Sequence, residues 1–291
     1  MLLANISVAK KIYENFPDCA VLRRHPVPPP SNYKPVIQAA GSRGFDVQVD
    51  SGKNLADSLD RAVIPDNPFF NTMLRILTTR CMTQAVYFAS GTLEYAQYVH
   101  YGLASPIYTH FTSPIRRYAD LLVHRLLAAV IDRGSVYPFL LDQRKIQECC
   151  QNLNYRHKMA QYAGRASVLI NTHLYFRDKR EELEGYILMI KKNALQILIP
   201  KYGLESAIVL RKDSALWRYD EERGTLTALK EGLTLRVFDK LTVQLTLDTS
   251  DKQHQKLTLE LVHPKVEGFS VEPLLSAGDH SDEPPLKKKM I

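Results

Sequence analysis

Arg116 and Arg117 stand side by side in the run Tyr108-Thr109-His110-Phe111-Thr112-Ser113-Pro114-Ile115-Arg116-Arg117-Tyr118-Ala119-Asp120. Paired guanidinium groups in such a setting suit phosphate chemistry. The run reads as a helix start, with Ser113 as N-cap and Pro114 at the first helical position. Helix N-termini already present free N–H groups and a partial positive charge. Arginines in that turn oppose the dipole unless an anion sits opposite, and a phosphate backbone is the anion that fits. On a helix Arg116 would share a stripe with Asp120, Val123 and Leu127, which predicts a partly buried side chain oriented by Asp120. A guanidinium held in this way stabilises charge that builds on phosphate oxygens during phosphoryl transfer. A plain Arg116–Asp120 salt bridge accounts for the same pattern. Arg117 falls on a different stripe, with Leu121 and His124.

Around this pair, His110 and Thr112 either donate to a phosphate backbone or brace the loop. Tyr108 and Tyr118 either stack on bases or fill the core. His100, His110 and His124 are too irregularly spaced for a local zinc site. Asp46 with Asp50, and Asp57 with Asp60, read as solvated loop charges. Far along the chain Lys191, Lys192, Lys201 and Tyr202 lie near predicted strand ends. There they either contact nucleic-acid backbone and base or guard strand edges against aggregation.

These residues need two kinds of scaffold. To about residue 172 the chain reads as mostly helical. Leu2, Leu3, Ile6, Ala9 and Ile12 can share one helix face. This helix has no capping residue before it, so the reading expects a longer chain upstream. The proline-rich stretch from His25 to Pro35 predicts an extended loop. A short helix is expected at Leu55 to Leu59, a second from about Phe69 to Cys81, and helix end or strand from Met82 to Ala89. Further helices are expected from Ser113 to about Arg133 and from Asp142 to about Phe176. Beyond Glu184 the apolar period changes to two, with a turn at Lys192-Asn193. Five or so short strands predict a small barrel of the OB type, with a β-sandwich nearly as compatible. From Glu267 the sequence turns polar and poor in apolar residues, as disordered segments do.

Composition narrows the class. Residues 1–172 carry 19 Lys and Arg against 12 Asp and Glu, an excess equal to the net charge of the whole chain, +7. The excess sits with the arginine motif and favours a polyanionic partner. No apolar run is long enough for a membrane span, and the N-terminus lacks a signal-peptide pattern. Cys19, Cys81, Cys149 and Cys150 form no CxxC pair, which fits reduced intracellular thiols. A DNA-reading helix is disfavoured, because the motif helix turns apolar after its first turn.

The run HFTSPIRRYADLLVHR resembles the signature of the RNB family, the RNase II-type 3′-to-5′ exoribonucleases. Leu22-Arg23-Arg24-His25-Pro26, Arg80 with Ala85 and Tyr87, and His100-Tyr101-Gly102-Leu103-Ala104 are similar to neighbouring family segments. Asn154 to Gln161 resembles the eukaryotic, exosome-associated branch, and Ile199 to Glu205 resembles an S1-type OB-fold. The resemblance implies an α+β chain. It would comprise the C-terminal, mainly helical half of an RNB domain (1–172), an S1-type OB-fold RNA-binding domain (173–265) and a disordered tail (266–291). Lys287-Lys288-Lys289 in that tail could act as a weak nuclear import signal.

The resemblance also implies a function. The intact protein would be a magnesium-dependent hydrolase of single-stranded RNA, working with exosome core subunits in the nucleus. Arg116 would be catalytic. His110, Thr112, Ser113, Arg117, Tyr118, Lys191, Lys192, Lys201 and Tyr202 would bind RNA. The family's aspartate cluster would lie upstream of this chain, so no metal ligand is assigned to any position. The alternative is a non-catalytic RNA-binding module or scaffold.

Overall fold

The computed structural model describes residues 1–132, 136–210, 216–221, 223–251 and 255–274. They form two compact units, Met1–Thr172 and His173 onward.

The first unit is built on helices whose apolar residues recur at helical spacing. On α4 (Phe70–Cys81) Phe70, Met73, Leu74 and Leu77 are buried, and on α5 (Tyr118–Asp132) Ala119, Leu122, Val123 and Leu126 are. α1 (Leu2–Asn15) differs from the sequence reading. Its buried stripe is Asn5, Val8, Ala9 and Ile12, while Leu2 and Leu3 are exposed. The proline-rich loop is also shorter than expected. A 3-10 turn at Pro30–Tyr33 leads into α2 (Lys34–Gly41), with Pro35 in its first turn. Proline fits there because its missing N–H would have had no helical partner. α3 (Gly52–Arg61) is capped by Ser51, whose hydroxyl accepts from Asn54 N–H at 3.1 Å. α6 (Gln143–Phe176) starts where Asp142 accepts from Lys145 N–H at 3.1 Å, as the sequence placed it.

Two short strands, β1 (Val21–Arg24) and β2 (Val86–Ala89), pair antiparallel, setting Arg23 opposite Tyr87. They pack with α1 and α5 in one cluster that includes Ile12, Leu22, Phe88, Leu122 and Leu126.

In the second unit five antiparallel strands run in the order β10-β9-β3-β4-β5. They are β3 (Glu181–Lys191), β4 (Ala194–Ile199), β5 (Leu204–Val209), β9 (Lys240–Asp248) and β10 (Lys256–His263). The sheet curls until Ser206 Oγ on β5 reaches the Leu257 carbonyl on β10 at 3.5 Å, giving the small barrel expected. Alternate residues fill it: Leu195, Ile197 and Ile199 from β4, and Leu241, Val243 and Leu245 from β9. Each such burial contributes roughly 1.5–3 kcal/mol. Gly185 is the one gap in β3's inward row. A Cβ there would stand 2.5 Å from Ile197 Cγ2, so the strands approach too closely for a side chain.

Sequence reading missed the three-stranded meander β6 (Trp217–Asp220), β7 (Thr225–Ala228) and β8 (Thr234–Leu235). These strands are too short to show a period. The unit also runs past residue 265, where the disordered tail was expected to begin. Val266 is buried, Phe269 lies edge-on to Trp217 at 5.1 Å, and Val271 N–H donates to the Leu261 carbonyl at 2.8 Å. Residues 275–291, including Lys287–Lys289, lie outside the described residues. Among the described residues no helix is long and apolar enough to cross a membrane, and all four cysteines are free thiols.

Candidate nucleic-acid interface

The motif loop is laid along β1 and pinned from several sides. Arg23 N–H donates to the Tyr108 carbonyl at 2.8 Å, and the buried Thr109 hydroxyl donates to the Val21 carbonyl at 2.6 Å. Asn5, the polar residue in α1's buried stripe, completes the loop. Its Nδ2 donates to Tyr108 Oη at 2.8 Å, and its Oδ1 accepts the N–H groups of Phe111 (3.0 Å) and Thr112 (3.2 Å). Tyr108 is therefore core rather than a free stacking platform. From α5, His124 Nε2 bonds the Phe111 carbonyl at 2.8 Å, and its ring stacks on Phe111 at 4.4 Å.

The helix does not begin at Ser113. Residues 114–116 form a turn, with Arg116 N–H and Arg117 N–H both directed at the Ser113 carbonyl at 3.2 Å, and α5 opens at Tyr118. The cause is Asp120, whose carboxylate is fully buried. It accepts Ser113 N–H at 2.7 Å, Arg117 Nε at 2.7 Å and Arg117 Nη2 at 2.8 Å. Ser113 thus serves through its backbone. The expected Arg116–Asp120 pairing is overturned: the fork of Arg117, three positions back, takes both carboxylate oxygens, and Arg116 sits in the exposed turn before it. With both arginines outside the helix the dipole conflict disappears, and Asp120 occupies the first turn, where a negative charge is favoured. Its partners hold the Asp120 carboxyl below the usual range despite burial. Arg116 is exposed and has no ion-pair partner among the described residues, and Tyr118 is also exposed.

His110 faces inward. Its Nδ1 and Tyr87 Oη are 2.6 Å apart, and its ring lies 5.6 Å from those of Tyr87 and Tyr108. Burial, helped by the nearby Arg23 and Arg117 charges, pushes its pKa down to about 3. His110 is thus a neutral hydrogen-bonding partner at physiological pH, not a cation for phosphate.

In the second unit the four candidates do not meet. Lys191 and Lys192 are exposed just before β4, whereas Lys201 and Tyr202 follow its end. A strand of that length separates them by roughly 20 Å. Glu181 Oε2 accepts from Tyr202 Oη at 2.7 Å and from Lys201 Nζ at 3.1 Å, and Tyr202 packs edge-on to Phe176 at 5.2 Å. Elsewhere on this unit a cleft of about 640 Å³ is lined by Arg177, Lys179 and Arg180, balanced by Asp178, Asp248 and Glu260. It contains none of the sequence-picked residues, and its balanced charge gives it no pull on a polyanion.

Sequence reasoning assigned no role to Asn5, Arg23 or Tyr87. Asn5 had a signal, a polar residue among core-facing helix positions. The other two are joined only by the β1–β2 register.

Comparison with known proteins agrees with this architecture. A family profile described as the RNB domain matches residues 1–133, and one described as an S1 domain matches residues 181–261. The chain is 55% identical over 277 residues to the mouse exosome complex exonuclease RRP44, covering 94% of this chain and 28% of that protein. It is 52% identical over 294 residues to the human protein of that name, covering 100% of this chain and 30% of the other. The chain therefore spans less than a third of the length of these curated relatives. Among solved structures, yeast Ssd1, described as a pseudonuclease, superposes with a TM-score of 0.75 at 18% identity, covering 89% of this chain and 43% of that one. Mycoplasma genitalium RNase R in complex with ribose-methylated single-stranded RNA gives 0.70 at 23% identity, covering 89% and 40%. These two likenesses speak for the fold. An arginine-bearing loop on a helical half that matches the RNB domain, an S1-type barrel after it, and identity above one half across nearly all of the chain together show a chain that carries an RNB domain and resembles the C-terminal part of RRP44.

Proposed function

We propose that this chain is part of a 3′-to-5′ exoribonuclease that hydrolyses single-stranded RNA in exosome-type processing and decay, in contact with exosome core subunits and in the nucleus. The observation that carries the reading is the unequal treatment of two neighbouring arginines. Asp120 neutralises and fixes Arg117, and the turn so braced presents Arg116 to solvent with its charge uncompensated among the described residues. Arg116 is then free to offer its planar fork to a phosphodiester. As the P–O bond breaks, charge grows on the non-bridging oxygens, and Arg116 offsets it. Thr112, Ser113 and Tyr118 line the same loop and guide the strand, and the lysines of the barrel offer RNA contacts of their own.

Magnesium, which the family implies, does not fit the acidic residues present. Both Asp120 oxygens are occupied, Asp46, Asp50, Asp57 and Asp60 are exposed, and Asp60 pairs with Arg75 at 2.5 Å. Among the described residues no three His, Cys, Asp or Glu gather as a metal site. We place the metal ligands outside this chain, and no step here is routed through a metal.

The test is Arg116→Ala in the full-length protein. Single-turnover cleavage of a 3′-labelled RNA should fall by at least about 10²-fold, with RNA affinity changing less. Unchanged cleavage would reject the role. The 291-residue chain by itself should leave the same RNA intact in magnesium, and robust decay would overturn the placement of the ligands. A non-catalytic RNA-binding module is the second reading, favoured by the same lack of a carboxylate cluster. Its mark would be a full-length protein that binds RNA and never cleaves it.

A further inference from the structure

Around the motif two guanidinium groups stand near one carboxylate, and only one of them engages it. Asp120 takes two bonds from Arg117 and one from Ser113 N–H. Arg23 is left without an acid among the described residues. Its guanidinium lies over the Tyr87 ring, 4.7 Å from the centroid, at the position β1 and β2 place opposite it. Arg23 is half-buried, and burial is the main influence lowering its pKa, with Arg117 near enough to add to the effect. Tyr87 is in turn held by His110, which is neutral and supplies no compensating charge. A cation drawn out of water without a counter-ion is unfavourable, and attraction to an aromatic face offsets only part of the loss. The cluster therefore carries one unbalanced positive charge close to the loop that presents Arg116, and Arg23 keeps part of its surface in solvent.

The geometry points to Arg23 as a second phosphate-binding residue of this interface, its fork taking a phosphodiester of single-stranded RNA with Tyr87 as the platform that keeps the guanidinium flat. This rests on the RNA-binding reading above and adds a residue with a different duty. Arg116 acts on developing charge, whereas Arg23 holds a phosphate in the ground state. Arg23 also anchors the motif through its backbone N–H to Tyr108, a bond that side-chain substitution leaves in place.

The test is fluorescence anisotropy of a labelled oligouridylate titrated with the 291-residue chain over a range of NaCl concentrations. Arg23→Gln should bind about 10-fold more weakly, and its log–log salt slope should drop by about 0.7, the value of one single-strand phosphate contact. Arg23→Lys keeps the charge and loses the fork, so it should keep the slope and bind a few-fold more weakly. Arg24→Gln, one residue on with its guanidinium on the Gln97 carbonyl at 3.3 Å, should behave as wild type. Wild-type affinity and slope in Arg23→Gln, or an equal loss in Arg24→Gln, would overturn the assignment and leave the proposed function standing. A wild-type chain that fails to bind would overturn both. Should Arg23→Gln lose its cooperative melt, Arg23→Lys decides, with wild-type affinity counting against the fork.

Discussion

The two candidate RNA-contacting regions handle positive charge in opposite ways. In the helical unit the cations are sorted by one buried carboxylate: Asp120 claims Arg117, while Arg116 and Arg23 are left without an acid among the described residues. On the barrel the acid is on the surface. Glu181 engages Lys201 and Tyr202 in an exposed pair, and Lys191 and Lys192 stand at the far end of β4. A buried acid fixes geometry, because breaking its bonds strands a charge away from water. A surface acid only trims the local charge. Position in the sequence does not decide what an arginine or lysine does here; the nearest carboxylate and its burial do.

The strongest way to break this contrast is Asp120→Asn. The change is nearly isosteric but strips Arg117 of its counter-charge inside the fold. Unfolding free energy should fall by roughly 2–4 kcal/mol, somewhat less than for a fully enclosed pair because the Arg117 side chain keeps 23% of its exposure. Urea denaturation checks this. The matching change on the barrel, Lys201→Ala, should leave the urea midpoint almost unmoved, because that lysine stands in solvent. Equal losses at the two sites would erase the distinction.

An intermediate effect comes from pH. Unfolded histidine titrates near 6.5, whereas burial lowers His100 to about 4 and His110 to about 3 in the fold. Between those values the unfolded chain takes up protons that the folded chain refuses. The stabilisation is complete above about pH 6.5 and is lost as pH falls toward the folded values. The urea midpoint should drop between neutral pH and about pH 5, and His110→Asn should flatten that drop. An unaltered drop would remove His110 from the account. The smallest effect sharpens the barrel side. Lys191→Ala with Lys192→Ala should lower the salt slope of RNA binding by up to about 1.4, and Lys201→Ala by less than about 0.7.

Much of the architecture was legible because local patterns dictate it. Helical spacing located α4, Asp142 marked the start of α6, and Lys192-Asn193 marked the β3–β4 turn. The motif was legible as a motif, but its internal geometry was not. Assuming a helix from Ser113 paired Asp120 with Arg116, four residues back. In the fold the Asp120 side chain takes the N–H of Ser113 itself, seven residues back, and so delays the helix to Tyr118. Arg23 and Tyr87 stood out only as parts of separate family-like segments, and their pairing was not legible because strand register alone joins them.

The three bonds from Asn5 span more than a hundred residues of chain, 103 to Tyr108 alone. Closing so wide a loop comes after local structure has formed, since its entropy must be met before the contact rewards it. The arginine loop is thus one of the last parts of its unit to take shape during synthesis. Until the segment through Thr112 has left the ribosome, Asn5 lacks all three of these partners, and the arginine loop lacks its brace from α1.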